Sequence, residues 1–230
     1  MTKLAVFDLD GTLVDTAPDL TASLNMCLAA DRLAPLPVDL ARPHAGHGAR
    51  KMLGFAYGHH GRDLPDALAD EHLERFLSHY EANIADLSRP FPGVVAAMDR
   101  LSRSGWSLAV CTNKRESLAV KLLDALDLSD RFVAICGQDT FAGMKPDPAH
   151  LGGTIDRARV PRDRVVMIGD TMTDVAAARA LCVPCILMDF GHAEIEAGRK
   201  QVAAVLTDYD QLTPTLADAL LEPEPSPAGR

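Results

Sequence analysis

Asp8-Leu9-Asp10-Gly11-Thr12 follows directly on the apolar run Leu4-Ala5-Val6-Phe7. Residues i and i+2 of a strand point to the same side, so a backbone extended through Asp10 would turn both carboxylates into one crevice. Acids held that close repel each other, and a divalent cation relieves the repulsion. Hard oxygen ligands with few protein contacts suit Mg²⁺, which shares its shell with water and substrate phosphate. Phosphate chemistry is the first expectation. A calcium-binding loop also opens on alternating Asp residues, but it needs Gly at its sixth position and Glu at its twelfth. Counted from Asp8, Gly11 is fourth and Asp19 is twelfth, so the register excludes that reading.

Three further segments carry polar chemistry at the ends of apolar runs. Thr112-Asn113 offers a hydroxyl, an amide and backbone N–H groups to phosphate oxygens, Lys145 before Pro146-Asp147-Pro148 offers a point charge, and Gly169-Asp170-Thr171-Met172-Thr173-Asp174 adds two carboxylates. Each alone reads equally well as structure: a helix cap, a surface turn, or acids at a helix start. Their shared placement at predicted strand ends, where open parallel sheets seat their ligands, favours one joint site.

The elements that must position these residues are short apolar runs alternating with segments of helical period, the pattern of a parallel sheet flanked by helices. Strands are expected at 4–7, 108–111, 133–136, 165–168 and 185–188, with a weaker sixth at 203–206. Helices are expected at 94–103, 116–126, 147–159 and 174–181. Gly152-Gly153 falls inside the third helix, where each Gly costs about 1 kcal/mol relative to Ala. Residues 16–89 show helical faces, Leu20/Leu24/Leu28 and Leu73/Phe76/Leu77/Tyr80/Ile84, without a convincing strand. Pro90-Phe91-Pro92-Gly93 then reads as a return hinge. The expected division is an α/β core over 1–15 and 90–222, a helical insertion over 16–89, and a disordered tail over 223–230.

At 230 residues, 47% hydrophobic and 24% charged, the chain is long enough for a substantial core and ordinary in composition. A net charge of -9 without a basic run argues against nucleic acid as a partner. No apolar stretch is long enough to span a bilayer and no signal peptide precedes the motif, so a cytoplasmic location and no membrane partner are expected. Cys27, Cys111, Cys136, Cys182 and Cys185 read as reduced, buried thiols. The Cys182-x-x-Cys185 spacing lacks a second pair to complete a zinc site, and Cys185 opens an apolar run. His59, His60, His72 and His79 have no metal-site spacing and read as a solvated helical surface.

In the order and placement of its four motifs, the chain resembles the haloacid dehalogenase-like superfamily, and most closely its bacterial phosphoglycolate phosphatases. The resemblance implies a Rossmann-like core with a central parallel sheet and a small helical cap. It implies Asp8 as the nucleophile that forms an aspartyl phosphate and Asp10 as the general acid and base. It implies Mg²⁺ held by Asp8, the Asp10 backbone carbonyl and Asp170, with Asp174 orienting that shell and pairing with Lys145. Thr112, the Asn113 backbone and Lys145 would bind the phosphoryl group. The acid at Asp10 sets the chain apart from the family's dehalogenases, which lack an acid there, and from the ion pumps, which carry Thr.

The implied substrate is a small phosphorylated metabolite, with 2-phosphoglycolate the best single expectation. The alternatives are a sugar phosphomutase of the β-phosphoglucomutase kind and a non-catalytic phosphate-binding module. Gly46-His47-Gly48 with Arg50 is the expected substrate-binding turn, its glycines admitting a close ligand and its basic residues, Lys51 included, meeting a carboxylate. Met144 and Cys182 depart from the residues common in relatives at those positions.

Overall fold

A computed structural model of the chain describes residues 2–190 and 199–222, for His47 the backbone alone. The expected tail at 223–230 lies outside the described residues.

The core is a six-stranded parallel sheet formed by β1 (Lys3–Phe7), β4 (Trp106–Cys111), β5 (Ala134–Cys136), β6 (Val165–Gly169), β7 (Cys185–Met188) and β8 (Ala204–Leu206). Their order is β5-β4-β1-β6-β7-β8, so the chain winds outward from β1 on one side and then on the other. The reversal leaves a crevice at the carboxyl ends of the central strands. Side chains alternate across the sheet as a period of two requires. Ala5 and Phe7 pack into one apolar cluster and Leu4 and Val6 into another, so both faces of β1 are buried.

Helices cover both faces. α5 (Val94–Arg103) and α6 (Glu116–Ala125) contribute to the first cluster, and α7 (Pro148–Ala158) and α8 (Met172–Ala180) to the second. The Asp147 carboxylate caps α7 by accepting from the Ala149 N–H, and Pro148 fills the first helical turn, where an N–H is not missed. Gly152-Gly153 does not break α7. A Cβ on Gly153 would lie 2.7 Å from the Phe141 ring, so the missing side chain makes room for that ring. Tertiary packing outweighs helix propensity here. Val133, expected in the third strand, is 56% exposed and precedes it.

The segment between β1 and β4 is helical: α1 (Ala17–Ala30), α2 (Val38–Ala41), α3 (Ala49–His59) and α4 (Asp66–Ala82). The chain leaves and re-enters the core through a two-stranded antiparallel ribbon, β2 (Val14–Asp15) against β3 (Arg89–Pro90). The buried Asp19 carboxylate of α1 accepts from the Leu87 and Ser88 N–H groups and from the Ser88 hydroxyl. It thereby ties the outgoing helix to the returning strand. Leu24 and Leu28 of α1 are fully buried, as are Phe76 and, within 1%, Tyr80 of α4.

The structure corrects two readings. His72 is buried, not solvated: its Nε2 lies 2.7 Å from the Tyr57 hydroxyl and 3.1 Å from Asp31. Cys182 is exposed while the other four cysteines are buried, and all five are free. It follows α8 at φ +56°, a left-handed position that favours glycine, which is why the helix stops there.

Candidate active site

Register brings the motifs together. Phe7 pairs with Val110 of β4 and with Ile168 of β6, so the residues after each strand leave the sheet at one level. Asp8 donates its N–H to the Ile168 carbonyl at 2.9 Å, and Thr112 donates to that of Cys136 at 3.0 Å. Asp8, Asp170 and Thr112 therefore meet over the crevice.

The expected extended backbone stops short. The strand ends at Phe7, and the chain turns at once, with the N–H groups of Thr12 and Val14 both donating to the Leu9 carbonyl. The two acids consequently face different partners. Asp8 accepts from Lys145 Nζ at 2.9 Å and from the Leu9 N–H at 2.7 Å. Asp10 accepts from Lys114 Nζ at 2.9 and 3.0 Å and from the Thr16 hydroxyl at 2.7 Å. In place of mutual repulsion there are two separate ion pairs.

The acidic group that does form is Asp8, Asp170 and Asp174, each offering an oxygen within 4.8 Å of the others. Gly11, at φ +83°, lets the first motif lie against this group: a Cβ there would stand 2.3 Å from Asp170 Oδ2. Thr12 donates to the other Asp170 oxygen at 2.7 Å. Asp174 is fully buried and uses both oxygens, one on Lys145 at 2.6 Å and the other on the Thr171 hydroxyl and N–H at 2.7 and 3.1 Å, closing a capping box at the start of α8.

Burial pushes Asp8 up to about 6; the Lys145 ammonium pulls it back and Asp174 adds to the rise. Asp170 is raised well above the usual range, chiefly by burial and then by Asp8 and Asp174. Burial works against the Lys145 ammonium, yet Asp174 and Asp8 outweigh it and hold its pKa above normal. Three acids with one cation leave uncompensated negative charge. That excess and its all-oxygen donor set fit a hard divalent cation, with Asp8 and Asp170 keeping oxygens free for it.

Thr112 Oγ1 accepts from the Lys114 N–H at 3.2 Å. The Asn113 side chain is turned elsewhere: its Nδ2 donates to the Lys145 carbonyl at 2.8 Å, which fixes the lysine's loop. A cavity of about 310 Å³ opens over these groups, between the core and the helical segment. Asp8, Asp10, Thr112, Asn113 and Lys114 line its floor, and Gly46, Gly48, Arg50 and Lys51 line the opposite wall. A Cβ on Gly46 would lie 3.9 Å from the Asp10 carbonyl, so the glycine turn approaches the first motif closely. Arg50 also pairs with Asp70 on α4. The His47 side chain lies outside what is described.

Lys114 and Thr16, the partners of Asp10, and Thr12, the partner of Asp170, stand in or beside the motifs, but the sequence gives them no role. Residue type and spacing do not show which carboxylate each of them meets.

A Rossmann-like sheet with an aspartate-lined crevice at its carboxyl edge and a helical segment above it defines a class of phosphate-handling hydrolases. The chain belongs to the haloacid dehalogenase-like hydrolase family, whose model matches residues 2–181. It is 45% identical over 221 residues to a phosphoglycolate phosphatase of Agrobacterium fabrum, covering 96% of this chain and 95% of that protein. It is 44% identical over 218 residues to the phosphoglycolate phosphatase of Mesorhizobium japonicum, covering 95% and 96%. Among solved structures, a predicted phosphoglycolate phosphatase from Haemophilus somnus superposes with a TM-score of 0.83, covering 92% of this chain and 96% of that one. At 24% identity, that likeness speaks for the fold alone.

Proposed function

We propose that the chain is a Mg²⁺-dependent phosphatase that hydrolyses 2-phosphoglycolate through an aspartyl phosphate. The observation that carries the reading is a division of labour between two neighbouring carboxylates. Asp8 lies in the acidic group beside Lys145, whereas Asp10 faces the same cavity but is held apart by Lys114 and Thr16. One acid is placed as a nucleophile and the other as a proton carrier. The likeness to the phosphoglycolate phosphatases named above supports 2-phosphoglycolate as the substrate.

In the first step an Asp8 oxygen attacks phosphorus in line, the bond from phosphorus to the ester oxygen breaks, and Asp10 gives its proton to the departing oxygen. In the second, Asp10 takes a proton from water, the water oxygen bonds to phosphorus, and the bond to Asp8 breaks. Lys145 and Thr112 bind the phosphoryl oxygens, with the Asn113 backbone N–H beside them. Asp174 keeps the Lys145 ammonium in place. Asp8, Asp170 and the Asp10 carbonyl would hold Mg²⁺, which when bound would supply positive charge against the phosphoryl oxygens.

Residues 16–89 act as a cap hinged near Thr16 and Phe91, at the two-stranded ribbon, and exclude water from the cavity when seated. The turn Gly46-His47-Gly48 with Arg50 receives the substrate carboxylate. A cytoplasmic site of action fits five free cysteines. Among the described residues no helix is long and apolar enough to cross a membrane.

The test is phosphate release from 2-phosphoglycolate, sugar phosphates and pyrophosphate, with Mg²⁺ and with a chelator. One ester far ahead in kcat/KM, dependence on Mg²⁺ and loss of turnover in Asp8→Asn are expected. Wild-type rates in that variant would sink the mechanism, and isomerised sugar phosphate without net phosphate release would make the chain a phosphomutase.

A further inference from the structure

Lys114 is a buried cation to which the steps above assign nothing. Its Nζ reaches both Asp10 carboxylate oxygens, at 2.9 and 3.0 Å, and sits 4.5 Å from the centroid of the Tyr80 ring. Side-chain exposure is 5% for Lys114 and 10% for Asp10. Water therefore competes little for either group, and both the ion pair and the attraction of the ammonium to the ring face are strengthened.

The three residues come from different parts of the molecule. Asp10 stands after β1, Lys114 follows β4, and Tyr80 is on α4 in the inserted segment. The ring covers the ammonium only when that segment is seated on the core. The Lys114 backbone is itself fixed, its N–H on Thr112 Oγ1 at 3.2 Å and its carbonyl accepting from the Gln138 N–H at 2.8 Å. What remains free to move is the long lysine side chain, and Tyr80 closes over it. The Tyr80 hydroxyl is buried and makes no hydrogen bond of normal geometry, yet it lies near enough to the ammonium to favour its charged form, so Tyr80→Phe is the variant that separates the ring from the hydroxyl.

We infer that Lys114 is a positioning residue for Asp10 and that the Tyr80 ring is the part of the cap that locks it. The proton-carrying carboxylate is thereby held in one orientation when the cap is seated and released when it lifts. A group that passes a proton to a departing oxygen must be aligned with it, so loss of the lock lowers kcat and leaves substrate binding largely intact. The inference rests on the phosphatase reading for the role of Asp10.

The experiment is a double-mutant cycle with Lys114→Met, Tyr80→Leu and the pair, with Tyr80→Phe and Lys114→Arg beside them. Lys114→Met lowers kcat by roughly a hundredfold and Tyr80→Leu by roughly tenfold, each with KM within about threefold of wild type. The double variant loses no more than Lys114→Met alone, because the ring acts only through the ammonium. Tyr80→Phe keeps full activity, and Lys114→Arg recovers part of the loss.

A second readout needs no turnover. In protein with ¹³C-labelled lysine, the Lys114 ε-methylene protons under the Tyr80 ring resonate upfield, and the shift disappears in Tyr80→Leu but stays in Tyr80→Phe. Losses that multiply in the double variant, or a raised KM at unchanged kcat, overturn the inference; the latter would mean that Lys114 touches substrate. Mg²⁺-dependent turnover without the shifted signal overturns the lock alone. A shifted signal in a protein that releases no phosphate overturns the phosphatase reading, and with it the role of Lys114 in the reaction, while the lock itself stands.

Discussion

The Lys145 ammonium and the Asp174 carboxylate form an ion pair at 2.6 Å with 1% and 0% of their side chains exposed. A pair so deeply buried survives because its other bonds are also made: Asp174 has Thr171, and Lys145 has Asp8. The pair links α8 to the loop before α7, so one contact holds both the cation and the acid to which the proposed mechanism gives roles at the phosphoryl group and the metal.

Removing the cation alone leaves the buried Asp8 and Asp174, and the half-buried Asp170 beside them, uncompensated. Lys145→Met is expected to abolish turnover and to destabilise the metal-free protein by about 3–5 kcal/mol, with saturating Mg²⁺ restoring part of the loss. Urea unfolding with chelator and with Mg²⁺ measures both. Unchanged stability in chelator would count against the pair as described.

The raised Asp8 pKa fixes the sign of a pH effect. A carboxylate whose folded pKa, about 6, lies above its ordinary value of 3.8 binds its proton more tightly when folded. Its contribution to stability is full below the unfolded value and is lost as pH rises through about 6. Asp8→Asn should therefore raise the melting temperature of the metal-free protein at pH 7.5, with the gain vanishing toward pH 4. Melts in chelator across that range test it; a gain that grows on acidification would reverse the assignment.

Protons and Mg²⁺ compete for the same carboxylates, since Asp8 and Asp170 are both raised. The Mg²⁺ concentration for half-maximal phosphate release should climb as pH falls from 7.5 to 5.5. A flat Mg²⁺ requirement over that window would place the cation elsewhere.

Gly11 has no alternative at its position. At φ +83° an L side chain is strained, and its Cβ would stand 2.3 Å from Asp170 Oδ2. Gly11→Ala should cost about 1–3 kcal/mol in backbone strain and displace the Asp170 carboxylate. Denaturant melts and Mg²⁺ titration of activity would show both effects; an unchanged Mg²⁺ requirement would free Asp170 from the metal role.

Arg50 lines the cavity from α3, opposite Asp8. If it meets the substrate carboxylate, Arg50→Ala should raise KM for 2-phosphoglycolate by roughly tenfold or more, the scale of a charge-assisted hydrogen bond. KM for an ester without a carboxylate should rise less. Equal effects on both would return Arg50 to its structural partner, Asp70.

Much of the core was legible along the chain because its signals are local. Apolar runs mark β1, β4, β6 and β7, and helical periodicity marks the helices between them, although α8 begins two residues ahead of the expected 174, at the Thr171/Asp174 capping box. The motif residues could be ranked by chemistry and by their place after strands. Partnership was legible only where the family resemblance carried it, as for Asp174 with Lys145; elsewhere it depends on sheet order and on groups far apart in sequence. Nothing local tells Asp10 that its counter-ion is Lys114, 104 residues away, or that a ring from α4 will cover it.

The burial of His72 and the tolerance of Gly152-Gly153 were hidden for the same reason, since each depends on a neighbour supplied by another element. The sequence by itself determined the elements, the acids and the family to which they point. Only the tertiary structure decided that Asp10 meets Lys114 under the Tyr80 ring, because a side chain's charge partner is set by the three-dimensional register of strands and not by spacing along the chain.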